Sequence, residues 1–181
     1  HCSLIITSAR SLLLSLLVLA LAACQPAAPK FKSTDITGAD YGKALRLPAH
    51  DGKPRSLADF AGKTVVVTFG FTHCPDVCPT ILADLAGILK KLGPDGDRVQ
   101  VLFVSVDPER DTPESLAKYV TAFDPRFIAL RGDAEATQRT AKDFKVFFEK
   151  RKVGDSYTVD HSAQSYVFDS KGRLRLFVRH D

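Results

Sequence analysis

Residues 64–80 read TVVVTFGFTHCPDVCPT. Thr64 to Phe71 form an unbroken apolar, β-branched run, the pattern of a short β-strand covered on both faces. A polar turn follows, carrying Cys74 and Cys78 four residues apart. Beyond it ILADLAGILKKL (81–92) places apolar residues at helical spacing until Gly93-Pro94 ends the helix. A second doubly covered run, VQVLFVSV (99–106), completes a strand–helix–strand unit, which implies parallel strands in a sheet with helices packed on it.

Working outward, Thr112-Pro113-Glu114 starts a helix that runs to about Phe123, with Thr as N-cap and Pro at the first position. Phe127 to Leu130 is a short strand, and Asp133 caps a helix predicted to continue to about Phe147. SYVFD (165–169) and RLRLFV (173–178) flank Ser170-Lys171-Gly172 as a hairpin. Upstream, ALRLPAHDGKPRSL (44–57) alternates around His50-Asp51-Gly52-Lys53 as an opening hairpin, and Ser56 to Ala61 makes a short helical turn stopped by Gly62. The order predicts an α/β fold, a three-layer sandwich with a mixed sheet and an N-terminal hairpin extension. The sequence stops directly after its last strand, so a further covering helix is expected to be truncated from it.

The 25 Lys and Arg residues against 21 Asp and Glu leave a net charge of +4. Basic stretches such as KKLGPDGDR (90–98) and EKRK (149–152) are interleaved with acids or turn residues, as on a solvated surface, and no nucleic-acid partner is expected. The N-terminus indicates export. HCSLIITSAR carries one positive charge at Arg10, and SLLLSLLVLALAA (11–23) is an apolar core too short to span a membrane, the layout of a secretory signal. Leu21-Ala22-Ala23-Cys24 resembles the lipobox of bacterial lipoproteins, in which the cysteine is acylated. The expectation is a signal over 1–23, a membrane tether over 24–40 beginning at lipidated Cys24, and a domain over 41–181, held at a bacterial membrane facing the periplasm. An ordinary signal with an incidental cysteine is the alternative. The sequence begins with His and contains no Met, so its first residue is not expected to be the natural start.

With Cys2 removed and Cys24 acylated, Cys74 and Cys78 remain as the thiols of an oxidising compartment. Ligand chemistry in open α/β sheets collects at the carboxyl ends of strands, where Cys74 lies. The positive end of the following helix favours a thiolate there. If helical geometry extends back over the pair, residues i and i+4 have Cβ atoms roughly 5–6 Å apart, close enough to grip one soft ion. A disulfide is also within reach, although one closing so short a loop adds only about 2–3 kcal/mol.

Two thiolates leave a metal under-coordinated, so a histidine is sought. His50 falls in a hairpin turn and His180 at the end of the chain. His73 neighbours Cys74 but points the other way in an extended chain. His161, in the polar loop TVDHSAQ before a strand, is the best candidate, with Asp160 to orient its imidazole. A loop histidine bonded to backbone is the plainer alternative. Cys2His without a fourth donor suits trigonal Cu(I), whereas structural zinc wants four protein ligands and catalytic zinc three plus water.

Three segments, FGFTHCPDVCP (69–79), VSVDPERDTP (104–113) and VDHS (159–162), together resemble the SCO/SenC proteins, and the similarity runs from about Tyr41 to the end. The resemblance implies a thioredoxin-like fold, tethering to a membrane on its outer side, copper binding at Cys74, Cys78 and His161, and a role in assembling the dinuclear copper centre of cytochrome c oxidase subunit II. Two departures from the family stand out, the missing C-terminal helix and His73 as an additional donor. Asp107-Pro108 and Asp111-Thr112-Pro113 match a family motif and are read as local structure, a strand end and a capped helix. The competing function is a thiol-disulfide oxidoreductase that reduces a partner's metal-site cysteines. Against it, the chain has CxxxC rather than CxxC and no proline after Pro125 that could serve as a cis-Pro beside the pair. A peroxiredoxin-like reading lacks a dedicated activating set.

Overall fold

The structure is a computed structural model in which residues 30–180 are described. The expected signal and Cys24 lie outside them. The chain divides into two compact units at Lys32/Ser33. Of the first, residues 30–32 are described and carry no helix or strand. Among the described residues no helix is long and apolar enough to cross a membrane.

The second unit contains, among the described residues, ten strands and three α-helices in the order β1 Thr34–Asp35, β2 Arg46–Pro48, β3 Pro54–Ser56, β4 Thr64–Gly70, α1 Val77–Leu92, β5 Val99–Ser105, α2 Pro113–Thr121, β6 Ile128–Leu130, α3 Ala134–Asp143, β7 Phe148–Val153, β8 Ser156–His161, β9 Gln164–Phe168 and β10 Leu174–Arg179. Short 3-10 turns cover Leu57–Phe60 and Gly93–Arg98. The main sheet has the order β1-β10-β9-β4-β5-β6. β4, β5 and β6 run parallel, and β9 joins β4 antiparallel. β2–β3 and β7–β8 are separate hairpins.

The apolar runs explain the layers. Alternate residues of a strand face opposite sides, and β4 with its exit loop sends Val65, Val67, Phe69 and Phe71 into one core and Val66 into the other. β5 divides likewise: Leu102 and Val104 on the first side, Val101 and Phe103 on the second. Leu82 and Leu89 of α1 and Leu116 and Val120 of α2 fill the second core, while Ala141 of α3, Phe144 and the opening hairpin fill the first. This is the expected three-layer, mixed-sheet sandwich of thioredoxin-like type, with the N-terminal hairpin in place. His50 also protects the sheet. Its Nδ1 accepts the Ala129 N–H at 3.1 Å and covers part of the β6 edge.

Two expectations need correction. The tether is expected to run through residue 40, yet Thr34 and Asp35 pair with Phe177 and Leu176 as an edge strand, and Ile36 N–H bonds Arg175 O. Two paired residues are too few to show a period in sequence. The second correction matters more for the site. The helix expected to reach Phe147 stops at Asp143, and residues 148–161 form a hairpin instead. The stop is a Schellman motif: Val146 N–H bonds Ala141 O and Lys145 N–H bonds Lys142 O, with Lys145 in the left-handed region at φ 54°. Glycine usually marks that position, and lysine here leaves no signal.

Candidate metal centre

β4 ends at Gly70, and the chain turns so that Cys74 N–H bonds Phe71 O. The helix begins only at Val77, so Cys74 precedes it in the turn while Cys78 sits in its first turn. The sulfurs therefore meet through the turn rather than along one helix face. Gly70 makes room for the Cys78 sulfur. A Cβ there would lie 2.6 Å from Cys78 Sγ and 2.7 Å from the Phe103 ring. A glycine inside a strand often marks such a close approach, and Phe69-Gly70-Phe71 carries that signal in the sequence.

His161 arrives from 83 residues away for a topological reason. β9 pairs antiparallel with β4 up to Thr68↔Ser165, so the start of β9 lies beside the carboxyl end of β4. His161, three residues before β9, is delivered to the mouth of the cysteine turn. It ends β8 rather than sitting in an irregular loop. Its Nε2 lies 3.4 Å from Cys78 Sγ, and the Phe71 ring meets it edge-on at 5.8 Å between centroids. Its Nδ1 lies 3.1 Å from the Ser162 carbonyl, which can only accept. Nδ1 therefore carries a proton, and Nε2 is the nitrogen that faces the sulfurs.

Asp160 does not orient this imidazole. Neighbouring residues of a strand point to opposite faces, and the Asp160 carboxylate binds Arg151 across the hairpin at 2.9 Å. The Ser162 carbonyl does the orienting. His73 is exposed and bonded to Thr72, its Nδ1 being 3.0 Å from Thr72 Oγ1. Since that hydroxyl donates to Asp111 at 2.6 Å, it accepts from His73. His180 contacts Ser165 at 2.8 Å. Among the described residues, one cluster of His, Cys, Asp and Glu could hold a metal ion: Cys74, Cys78 and His161, whose donor atoms lie within 4.8 Å of one another.

Cys74 is half-buried and Cys78 buried, both as free cysteines. The Cys74 thiol is pulled down to about 4 by hydrogen bonding from Cys78, against a cost of burial, with further hydrogen bonds from His161 and the backbone N–H groups of Asp76 and Cys78. Cys78 is pushed up by its bond to Cys74, by burial and by the Cys74 charge. In metal-free protein the pair thus holds one negative charge, with Cys78 as the thiol donor. The sign gives a prediction. Alkylation of Cys74 should be nearly flat between pH 6 and 8, where an ordinary thiol would accelerate about 100-fold, because its thiolate is already fully formed. The lower nucleophilicity of an acidic thiolate scales the rate without tilting the profile. Iodoacetamide kinetics followed by mass spectrometry measure it, and a steep rise across that range would refute the assignment.

The DPERD segment does more than end a strand. Thr112 is the expected N-cap, accepting Ser115 N–H at 3.1 Å. Asp111, however, is fully buried and accepts from Thr72 N–H at 3.1 Å, Thr72 Oγ1 at 2.6 Å and Ser105 Oγ at 2.6 Å. It holds the chain two residues before Cys74, a part that its sequence neighbourhood does not reveal.

Residues 33–181 match the SCO1/SenC family model. The chain belongs to the SCO1/SenC family. It is 40% identical over 127 residues to the mitochondrial SCO2 homologue of Mus musculus, covering 68% of this chain and 50% of that protein. It thus spans about half the length of that relative. Among solved structures, ScoI of Bradyrhizobium japonicum with copper bound shares 39% identity at a TM-score of 0.68, over 72% of this chain and 83% of that one. Apo Sco1 of Thermus thermophilus shares 42% at a TM-score of 0.73, over 85% and 90%.

Proposed function

We propose that this SCO1/SenC protein is a copper metallochaperone that binds Cu(I) through Cys74 Sγ, Cys78 Sγ and His161 Nε2. Its cargo goes to the dinuclear copper centre of cytochrome c oxidase subunit II or a similar acceptor. The observation that carries the reading is the convergence of two sulfurs and one imidazole nitrogen within 4.8 Å, with no fourth His, Cys, Asp or Glu in the cluster among the described residues. Two soft thiolates and one nitrogen satisfy trigonal Cu(I) and leave zinc incomplete. The centre borders a cleft of about 300 Å³ lined by Phe71, Pro75, Val77 and Val159, open enough for an acceptor's ligands to reach the ion. Copper in the Bradyrhizobium relative supports the metal. The apolar segment and Cys24 support lipid anchoring at a bacterial membrane, with the domain facing the periplasm.

Competition titration against a chromogenic Cu(I) chelator tests the site. One tightly held copper per chain is expected, weakened about 10- to 100-fold in His161→Ala, because one nitrogen donor is lost while two thiolates remain. Copper held no better than by a free dithiol, and indifferent to His161, would reject it. The acidic Cys74 beside a protonated Cys78 favours a second reading, a thiol-disulfide oxidoreductase in which Cys74 attacks a partner's disulfide and Cys78 resolves the mixed disulfide. Turnover of a disulfide substrate without copper would support it.

A further inference from the structure

The turn 107–111 touches both segments that bring donors to the centre. Asp111 holds the cysteine turn through Thr72. Its neighbour Arg110 holds the hairpin. Arg110 Nη1 donates to the Tyr157 carbonyl at 2.8 Å, and its guanidinium carbon stands 3.7 Å from the centre of the Tyr157 ring. Arg110 Nε donates to Asp107 at 2.5 Å, and the Tyr157 hydroxyl donates to the other oxygen of the same carboxylate at 2.8 Å. Asp107 is fully buried, so both its partners are fixed by a group that cannot turn to water. The guanidinium also lies 5.8 Å from the Phe71 ring, which itself meets His161. Lys150 adds an ion pair to Glu109 at 2.5 Å.

We infer that Arg110 is the positioning residue for His161, clamping Tyr157 so that β8 presents the imidazole at the sulfurs. Among the described residues, the hairpin makes no ladder with the main sheet. Its base is closed by Ser162 N–H to Phe147 O and Phe147 N–H to Ser162 Oγ. Tyr157 stands four residues before His161, about 13 Å along an extended strand, so a small rotation at Tyr157 becomes a displacement at the imidazole. A planar guanidinium stacks flat on a ring while its rigid fork fixes the directions of its donors, a geometry that a freely rotating ammonium does not impose. This inference rests on the Cys2His reading for its consequence in metal binding, and on the hairpin contacts alone for its mechanical part.

The test uses Arg110→Ala and Arg110→Lys, each alone and combined with His161→Ala. Amide hydrogen exchange is followed in the metal-free protein, and Cu(I) affinity by competition. Arg110→Ala should speed exchange in residues 148–161 about tenfold or more while leaving α1 and β5 protected as before. It should weaken Cu(I) about tenfold with His161 present and add nothing once His161 is removed. Arg110→Lys, which keeps Asp107 paired, should give smaller losses of the same kind, and it decides the matter if Arg110→Ala fails to fold. Unchanged hairpin exchange would overturn the clamp, as would an equal loss of copper affinity with and without His161. If His161→Ala alone leaves copper binding intact, the Cys2His reading falls instead. Hairpin exchange then decides for or against Arg110 by itself.

Discussion

Either Cys74→Ser or Cys78→Ser is expected to lower Cu(I) affinity on the order of 10³-fold or more, since a hydroxyl is a hard donor that stays protonated near neutral pH and forms no soft bond to Cu(I). The remaining sulfur and His161 Nε2 would be a two-donor site, no better than many surface pairs. The two variants should differ in metal-free protein. Cys74→Ser removes the acidic thiol and leaves Cys78 buried at 2% exposure. The charge of Cys74, which helped to push the Cys78 thiol up, is then gone. Cys78→Ser keeps the accessible sulfur but replaces the thiol whose hydrogen bond is the largest cause holding Cys74 down. The Cys74 thiol should therefore titrate higher in Cys78→Ala, which removes that donor outright, and by less in Cys78→Ser, whose hydroxyl is a stronger donor on a shorter side chain. Competition titration reads the affinity and ultraviolet thiolate absorbance reads the titration. Wild-type copper content in either variant would remove these sulfurs from the site.

The sequence was most legible where one residue type carries one physical message. Val65 to Phe71 is apolar throughout on one face and carries Val66, Thr68 and Gly70 on the other, and the structure buries both. Thr112-Pro113 and Asp133 are caps with side-chain oxygens in the expected place, on Ser115 N–H and Ala136 N–H. The segment 144–161 was illegible for equally physical reasons. Lys145 takes a left-handed backbone that glycine would have advertised, and its ammonium lies 5.4 Å from the centre of the Tyr41 ring. FEKRKV forms a strand with five exposed residues, so no burial pattern marks it as a strand.

The centre itself divides the same way. Cys74 and Cys78 are legible from spacing, and His161 from being a histidine ahead of a strand. The choice of Asp160 as its orienting partner fails because a strand's alternation, which a loop would not have imposed, turns that carboxylate to Arg151. The Ser162 carbonyl that replaces it is backbone and has no residue type to read. Arg110 and Asp111 act on groups 47 and 39 residues distant. Tertiary partners at such separation leave no trace in a local pattern, which is why DPERD read only as a strand end and a helix start.

Asp111→Ala is expected to destabilise the domain markedly by unpinning the turn before Cys74. The carboxylate accepts three hydrogen bonds and is fully buried, so its removal leaves Thr72 N–H, Thr72 Oγ1 and Ser105 Oγ without their acceptor. A buried donor left unsatisfied costs about 1–3 kcal/mol. The two hydroxyls can rotate, and a water can enter the space, which limits the loss to about 3 kcal/mol. For a domain of this size that corresponds to a Tm lower by about 6–12 °C. Asp111→Asn keeps the shape and one acceptor but turns an NH2 toward a donor, so it should lose less than the alanine variant. The same change loosens the turn before Cys74, so copper affinity should fall along with Tm, and in Asp111→Asn it should fall by less. Thermal unfolding monitored by circular dichroism, with the copper titration on the same preparations, reads both. A Tm within about 2 °C of wild type in Asp111→Ala would mean that the three donors find other partners. The turn carrying Cys74 would then be held by its own backbone alone, through the Cys74 N–H to Phe71 O bond.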